Sequence, residues 1–124
     1  MARVFLDTNY FIDAIHRKPE TKILDSLKDH IVCASPLSFH IYCYIFKIKI
    51  PNKLASAQVK KFLLVDFSEN ILVKAASGPT KDFEDNVQLH SSAEGECDLL
   101  LTTDRKLLNL KFFGKAKIIQ SLER

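Results

Sequence analysis

Cysteine is scarce and poorly spaced for structural chemistry. Cys33, Cys43 and Cys97 are odd in number and form no Cys-x-x-Cys pair. That excludes a disulfide framework, and the thiols read as reduced, mostly core-filling groups of a cytoplasmic protein. His16, His30, His40 and His90 are scattered, which excludes a zinc site built from close ligand pairs. Long apolar runs are missing as well. The most apolar stretch, residues 41–50, is too short to span a bilayer and carries Lys47 and Lys49, so no membrane partner is expected. No signal peptide is expected, because Asp7 interrupts the first apolar run at once. No repeat, low-complexity tract or linker divides the chain.

What remains suits one folded unit. The 124 residues fit a single domain, residues 1–124, with one core. Hydrophobic residues make up 47% and charged residues 27%, a balance that favours folding over disorder. The net charge of +3 permits a polyanionic partner without requiring one.

Residues 3–6 read as a buried strand, and residues 9–17 as a helix stopped by Pro19. Residues 21–28 form a short helix, with Glu20, Asp25 and Asp29 on solvated faces, and residues 31–34 a second strand. Ser35-Pro36 opens a helix expected to run to Pro51, although residues 41–46 are rich in β-branched and aromatic types. Helices follow at residues 52–63 and 68–76, around a brief strand at 64–67. The expected inward residues are Leu54, Phe62 and Leu63, then Ile71, Leu72 and Ala75. Gly78-Pro79 breaks the chain, and residues 82–93 form a helix with Phe83 and Val87 inward. A strand at 98–102, a helical turn at 105–110 and a final strand at 117–119 complete it. Strands alternating with helices predict a mostly parallel sheet covered on both faces. Sites in such sheets form beyond the carboxyl ends of the strands, where Asp7 and Asp104 fall.

Singly, Asp7, Asp82 and Asp104 each read as a helix cap, with Asp85 in a first turn where the helix dipole favours negative charge. Jointly they suggest more. Carboxylates gathered at one sheet edge repel one another unless a cation sits among them, and a divalent metal is the usual answer. The i, i+3 spacing puts Asp82 and Asp85 on one helical face, off which Glu84 is expected to lie. Thr8, Asn9 and Thr102 would hydrogen-bond the carboxylates or a phosphate oxygen.

The blocks Val4-Phe5-Leu6-Asp7-Thr8-Asn9, Asp82-Phe83-Glu84-Asp85-Asn86-Val87-Gln88-Leu89 and Leu100-Leu101-Thr102-Thr103-Asp104 make the chain resemble the PIN domains. More narrowly, it resembles the small VapC-like ribonuclease toxins, over nearly its whole length. The resemblance implies a small α/β/α sandwich with a mostly parallel central sheet. It also implies a Mg²⁺ or Mn²⁺ site and metal-assisted hydrolysis of single-stranded RNA to 5′-phosphate and 3′-hydroxyl ends. A homodimer and an antitoxin protein lying in the acidic groove follow as expected partners. Asp7 would be the central metal ligand, Asp85 and Asp104 two further acids of the site, and Asp82 an accessory carboxylate. Thr102 would be the hydroxyl residue two places before the last acid, and Asn9 a further site residue.

One acid does not carry over. The family places a Glu near the start of the helix after the second strand. Here that region reads Ser35-Pro36-Leu37-Ser38-Phe39-His40-Ile41-Tyr42, with Ile41 at the Glu position. His40 beside it reads as a packed core residue before it reads as a substitute ligand. Lys47, Lys49, Lys53, Lys60, Lys61, Arg105 and Lys106 would guide an RNA backbone or simply form a solvated surface. Two alternatives to a ribonuclease stand. One is a PIN fold without catalysis that binds RNA or protein, favoured by the missing Glu. The other is a phosphoacceptor domain, disfavoured because Asp66 lacks the setting that chemistry needs.

Overall fold

The structure, a computed structural model, describes residues 1–17 and 20–122, with the backbone alone for residues 20–22. The expected stop at Pro19 and the side chain of Glu20 lie outside the described residues. Strand β1 (Arg3–Leu6) occupies the middle of a six-stranded sheet ordered β3-β2-β1-β4-β6-β5. Its neighbours are β2 (Ile31–Ala34) and β4 (Leu99–Leu101), both parallel to it, with Val4 opposite Val32 on one side and Leu99 on the other. The strands β3 (Leu63–Leu64) and β6 (Ala116–Ile119) extend the sheet in parallel, and β5 (Phe112–Phe113) closes one edge antiparallel to β6.

Val4, Phe5 and Leu6 are fully buried, as a strand covered on both faces requires. Period-two alternation sends Val4 and Leu6 to one layer and Phe5 to the other. The first layer packs α1 (Thr8–Ile12), α2 (Glu20–Ser26), α3 (Pro36–Ile45) and α4 (Lys53–Val59) through Phe11, Ile12, Leu27, Tyr42 and Ala55. The second packs α6 (Phe83–Glu94) and α7 (Arg105–Leu110) through Leu89 and Leu107, with Cys33 and Cys97 as buried free thiols. Helix α5 (Glu69–Ser77) lies on α6 through Ile71, Ala75 and Val87. The expected α/β/α sandwich around a mostly parallel sheet is therefore what the chain forms. Among the described residues, no helix is long and apolar enough to cross a membrane.

Several boundaries differ from expectation. Helix α1 passes at Asp13 into one turn of π-helix (Asp13–Arg17). Helix α3 stops at Ile45, well before Pro51, and Lys47 takes a left-handed backbone (φ 53°). Tyr44 and Ile45 are exposed there, so packing no longer supports a β-branched, aromatic run of modest helix propensity. Leu54, Leu63, Leu72 and Phe83, expected inward, are all exposed. In α5 the inward stripe is Ile71 and Ala75, an i, i+4 pair that leaves Leu72 off the face. Strand β5 was not expected. It pairs with β6 across a tight turn in which Gly114 takes φ 61°, and two residues are too few to show periodicity.

Candidate active site

The chain runs from β1 to β2 and β3 on one side of the sheet and later returns to β4 on the other. The gap between β1 and β4 is thus the switch point at which a parallel sheet opens a crevice. Asp7 leaves β1 there in an extended conformation and caps α1, its Oδ1 accepting from the Tyr10 amide at 2.9 Å. The Asp7 amide still donates to the Leu101 carbonyl of β4 at 3.2 Å, which holds the two strand ends in register. One residue past β4, the fully buried Thr102 donates its hydroxyl to Asp7 Oδ2 at 2.5 Å. The same hydroxyl oxygen accepts from the Asp104 amide at 3.0 Å. Thr102 therefore ties both acidic strand ends together. Asp104 caps α7 through Lys106 N at 2.8 Å, which leaves its second oxygen free to face outward.

Asp85 comes from the first turn of α6. Its carboxyl accepts no hydrogen bond from any described residue. Burial pushes Asp7 above the usual carboxylate range, partly offset by the Thr102 and Tyr10 hydrogen bonds, with the charges of Asp104 and Glu84 adding to the rise. Asp85 is raised to about 6, first by burial and then by Asp82, Asp104, Glu84 and Asp7. The structure thus brings Asp7, Asp85 and Asp104 within electrostatic reach of one another.

The residues around the three acids follow expectation only in part. Asp82 turns its Oδ1 back to the Asp85 amide at 2.9 Å as the cap of α6. That cap is the expected one, and of the neighbouring charges Asp82 acts most on the Asp85 carboxyl. Glu84, half-buried on the first turn of α6, adds to the negative charge felt by Asp7 and Asp85. Asn9 does not contact the carboxylates. It is exposed, and its Oδ1 accepts from Arg17 Nη2 at 3.1 Å, while Arg17 pairs with Asp13 at 3.0 Å. His40 is exposed rather than packed in the core, beside a half-buried Ile41. Asp66 follows the edge strand β3, is exposed, and acts on neither shifted carboxyl.

Polar residues outside the expected set also build the site. Thr8 and Ser38 hydroxyls meet at 2.9 Å, and Ser38 donates on to Gln88 Oε1 at 3.4 Å. This buried chain sews α1, α3 and α6 together next to Asp7. No sequence signal marked Gln88, since the burial of α6 from Asn86 to Leu89 comes from tertiary packing.

Only carboxylates, with no His or Cys, gather at this edge, a hard oxygen donor set that suits Mg²⁺ or Mn²⁺ over zinc. Among the described residues no three such groups stand close enough to enclose an ion. The edge therefore fits a cation held by one or two carboxylates and completed by water and substrate oxygens, the usual mode for Mg²⁺.

Two predictions arise here. Replacing Thr102 by Val removes the donor to Asp7 and the acceptor for the Asp104 amide. A loss of about 2 kcal/mol is expected in a urea melt, since hydrogen bonds to charged groups count for more than neutral ones. The second concerns pH. Asp85 has a folded value near 6 against an ordinary 3.8, so between those values the folded state binds more protons than the unfolded chain. Its destabilising effect is absent at the acid end and complete above about 6. With metal chelated, an Asp85→Asn variant should melt above wild type at neutral pH, and the gap should close on acidification. A gap that stays constant with pH contradicts the crowded-carboxylate reading.

The chain belongs to the PIN domain family, whose pattern it matches over residues 3–106. Its fold is that of VapC-type chains. A chain of Rickettsia felis VapBC2, solved bound to a promoter DNA fragment, superposes with a TM-score of 0.64 at 14% identity, covering 94% of this chain and 97% of that one. Mycobacterium tuberculosis VapC20, a toxin that cleaves the sarcin-ricin loop, gives 0.61 at 10% identity over 90% and 97%. A chain of DNA-bound VapBC from Salmonella typhimurium gives 0.59 at 13% identity over 96% and 98%. Curated protein sequences give no match.

Proposed function

We propose that this chain is a Mg²⁺- or Mn²⁺-dependent endoribonuclease that hydrolyses single-stranded RNA, acting as the toxin of a toxin–antitoxin pair. The observation that carries the reading is Thr102 joining Asp7 and Asp104 across the switch point, with Asp85 facing them from α6. One or two of Asp7, Asp85 and Asp104 would ligate the cation directly, and the rest through coordinated water. When bound, the cation supplies Lewis acidity toward the phosphate and acidifies a coordinated water. The residues themselves do the rest. Thr102 keeps its proton on Asp7 Oδ2 and so favours the ionised carboxylate. Asp85, raised to about 6, is already mostly ionised at neutral pH, and a neighbouring cation would favour that form further. Arg105 and Lys106, exposed on the first turn of α7 after Asp104, would guide the RNA backbone.

The resemblance to VapBC complexes supports an antitoxin as partner; its segment would lie in the acidic groove, and a second copy of the chain would be a further partner. Tyr44, Ile45, Ile50 and Leu54 form exposed apolar surface around the end of α3 and the start of α4, which a homodimer would cover.

A labelled single-stranded RNA, its duplex and the matching DNA, each incubated with Mn²⁺ or with EDTA, test the reading. Cleavage of the single-stranded RNA alone, abolished by EDTA, supports it. The second reading, a PIN fold that binds RNA without cutting it, is favoured by Ile41 standing where an acid is missing. It predicts a stable RNA complex and no cleavage at any Mn²⁺ concentration.

A further inference from the structure

A groove starts at the same sheet edge as the acids and follows α4. Strands β1, β2 and β3 are parallel, so the residues just past their ends share that edge. Asp7 stands there after β1, Ser35-Pro36 after β2 and Val65 after β3. Strand β3 is two positions from β1 in the sheet, a separation of about 10 Å. The first turn of α3 forms the boundary between site and groove. Its Ser38 bonds Thr8 next to Asp7. Pro36 and Phe39, three residues apart, line a hollow on another side of the same turn.

That hollow, about 270 Å³, is also lined by Val59 and Leu64, and its polar residues are Ser56 and Lys60. A second hollow of about 390 Å³ shares Ser56 and Lys60 and continues to Pro51 and Lys53. The two adjoin as one groove. Leu54 lies on the opposite flank of α4 from Ser56 and Val59, so the apolar surface left for a second copy of the chain is on the other side of the helix.

The charge of the groove has one sign. Lys53 and Lys60 are exposed and form no ion pair among the described residues. Among the described residues no acid lines either hollow. The two lysines are seven residues apart on one helical stripe, an interval of about 10 Å. Spaced cations beside an apolar hollow suit a strand that carries phosphates and a base together.

Resting on the ribonuclease reading, we infer that this groove is a subsite for the single-stranded RNA flanking the cut. One unpaired base enters the hollow beside Phe39 and Val59, and Lys53 and Lys60 take phosphates of the same strand. A base held in a duplex cannot enter, so the groove selects unpaired RNA.

The test is binding of a fluorescent single-stranded RNA oligonucleotide in EDTA, followed by anisotropy over a range of salt, with cleavage kinetics in Mn²⁺ alongside. Each phosphate neutralised on a single strand contributes about 0.7 to the slope of log K against log salt. Lys53→Gln combined with Lys60→Gln should lower that slope by about 1.4 and weaken binding about 25-fold at 0.1 M salt. The same pair should raise KM and leave kcat unchanged, since it acts away from the reacting bond. Ser56→Leu fills the groove from an exposed position. It should weaken binding several-fold with the salt slope unchanged. Lys74→Gln combined with Lys111→Gln, an equal loss of charge across the sheet on α5 and after α7, should show neither effect. Cleavage by wild type, with either groove variant matching it in RNA affinity and KM, overturns the subsite and leaves the ribonuclease reading standing. Wild type that neither binds nor cleaves RNA overturns both.

Discussion

Asp7→Asn is expected to abolish RNA cleavage while leaving the protein folded. Asp7 is the only acid of the set whose two carboxyl oxygens are both engaged, by Tyr10 and Thr102, and it sits at the end of the central strand. Neutralising it removes the charge on which the cation site depends. A metal's contribution to the transition state is several kcal/mol, and each 1.36 kcal/mol is tenfold in rate, so a loss of about a thousandfold or more is expected. Stability should move the other way. Burial already disfavours charge on Asp7, and Asn caps helices about as well as Asp. At neutral pH, with metal chelated, the variant should therefore melt at or above the wild-type temperature. An inactive variant that is also unfolded would mean that Asp7 is structural, and the catalytic argument would lose its support.

Asn86→Ala is expected to give the largest loss of stability among polar substitutions. The side chain is 3% exposed, and its Nδ2 donates to the Ala75 carbonyl at 2.8 Å and the Thr80 carbonyl at 2.9 Å. Its Oδ1 accepts from the Thr80 amide at 2.9 Å and the Thr80 hydroxyl at 2.6 Å. One carboxamide thereby closes the turn between α5 and α6 and sets the first turn of α6, which carries Glu84 and Asp85. Truncation strands several buried polar groups, each costing about 1–3 kcal/mol, so a total near 3 kcal/mol or more is expected. For a domain of this size that corresponds to roughly a 10 °C fall in melting temperature. A fall of only a degree or two would show that the turn is held mainly by the packing of Ile71, Ala75 and Val87.

Much of this was legible beforehand for physical reasons. Val4-Phe5-Leu6 and Leu99-Leu100-Leu101 are apolar runs that only a doubly covered strand accommodates, and the acids after them had to emerge at the carboxyl edge. The Ser35, Asn52 and Ser68 caps marked three helix starts that the structure keeps. The remainder depends on tertiary context. Where α3 ends is decided by where its neighbours stop covering it. Nothing local marks Gln88 and Asn86 as buried, because the cover on α6 comes from other elements of the fold. Asn9 bonds Arg17, eight residues on at the end of the π-helical turn, instead of a carboxylate.

The most direct measurement is the chemistry of the cut ends. Wild-type protein with single-stranded RNA and increasing Mn²⁺ should show no cleavage in EDTA, a rate that rises and saturates with the cation, and products carrying 5′-phosphate and 3′-hydroxyl groups. Cleavage that persists in EDTA, or products ending in 2′,3′-cyclic phosphate, would place the reaction on the RNA's own hydroxyl and contradict a site built on Asp7, Asp85 and Asp104.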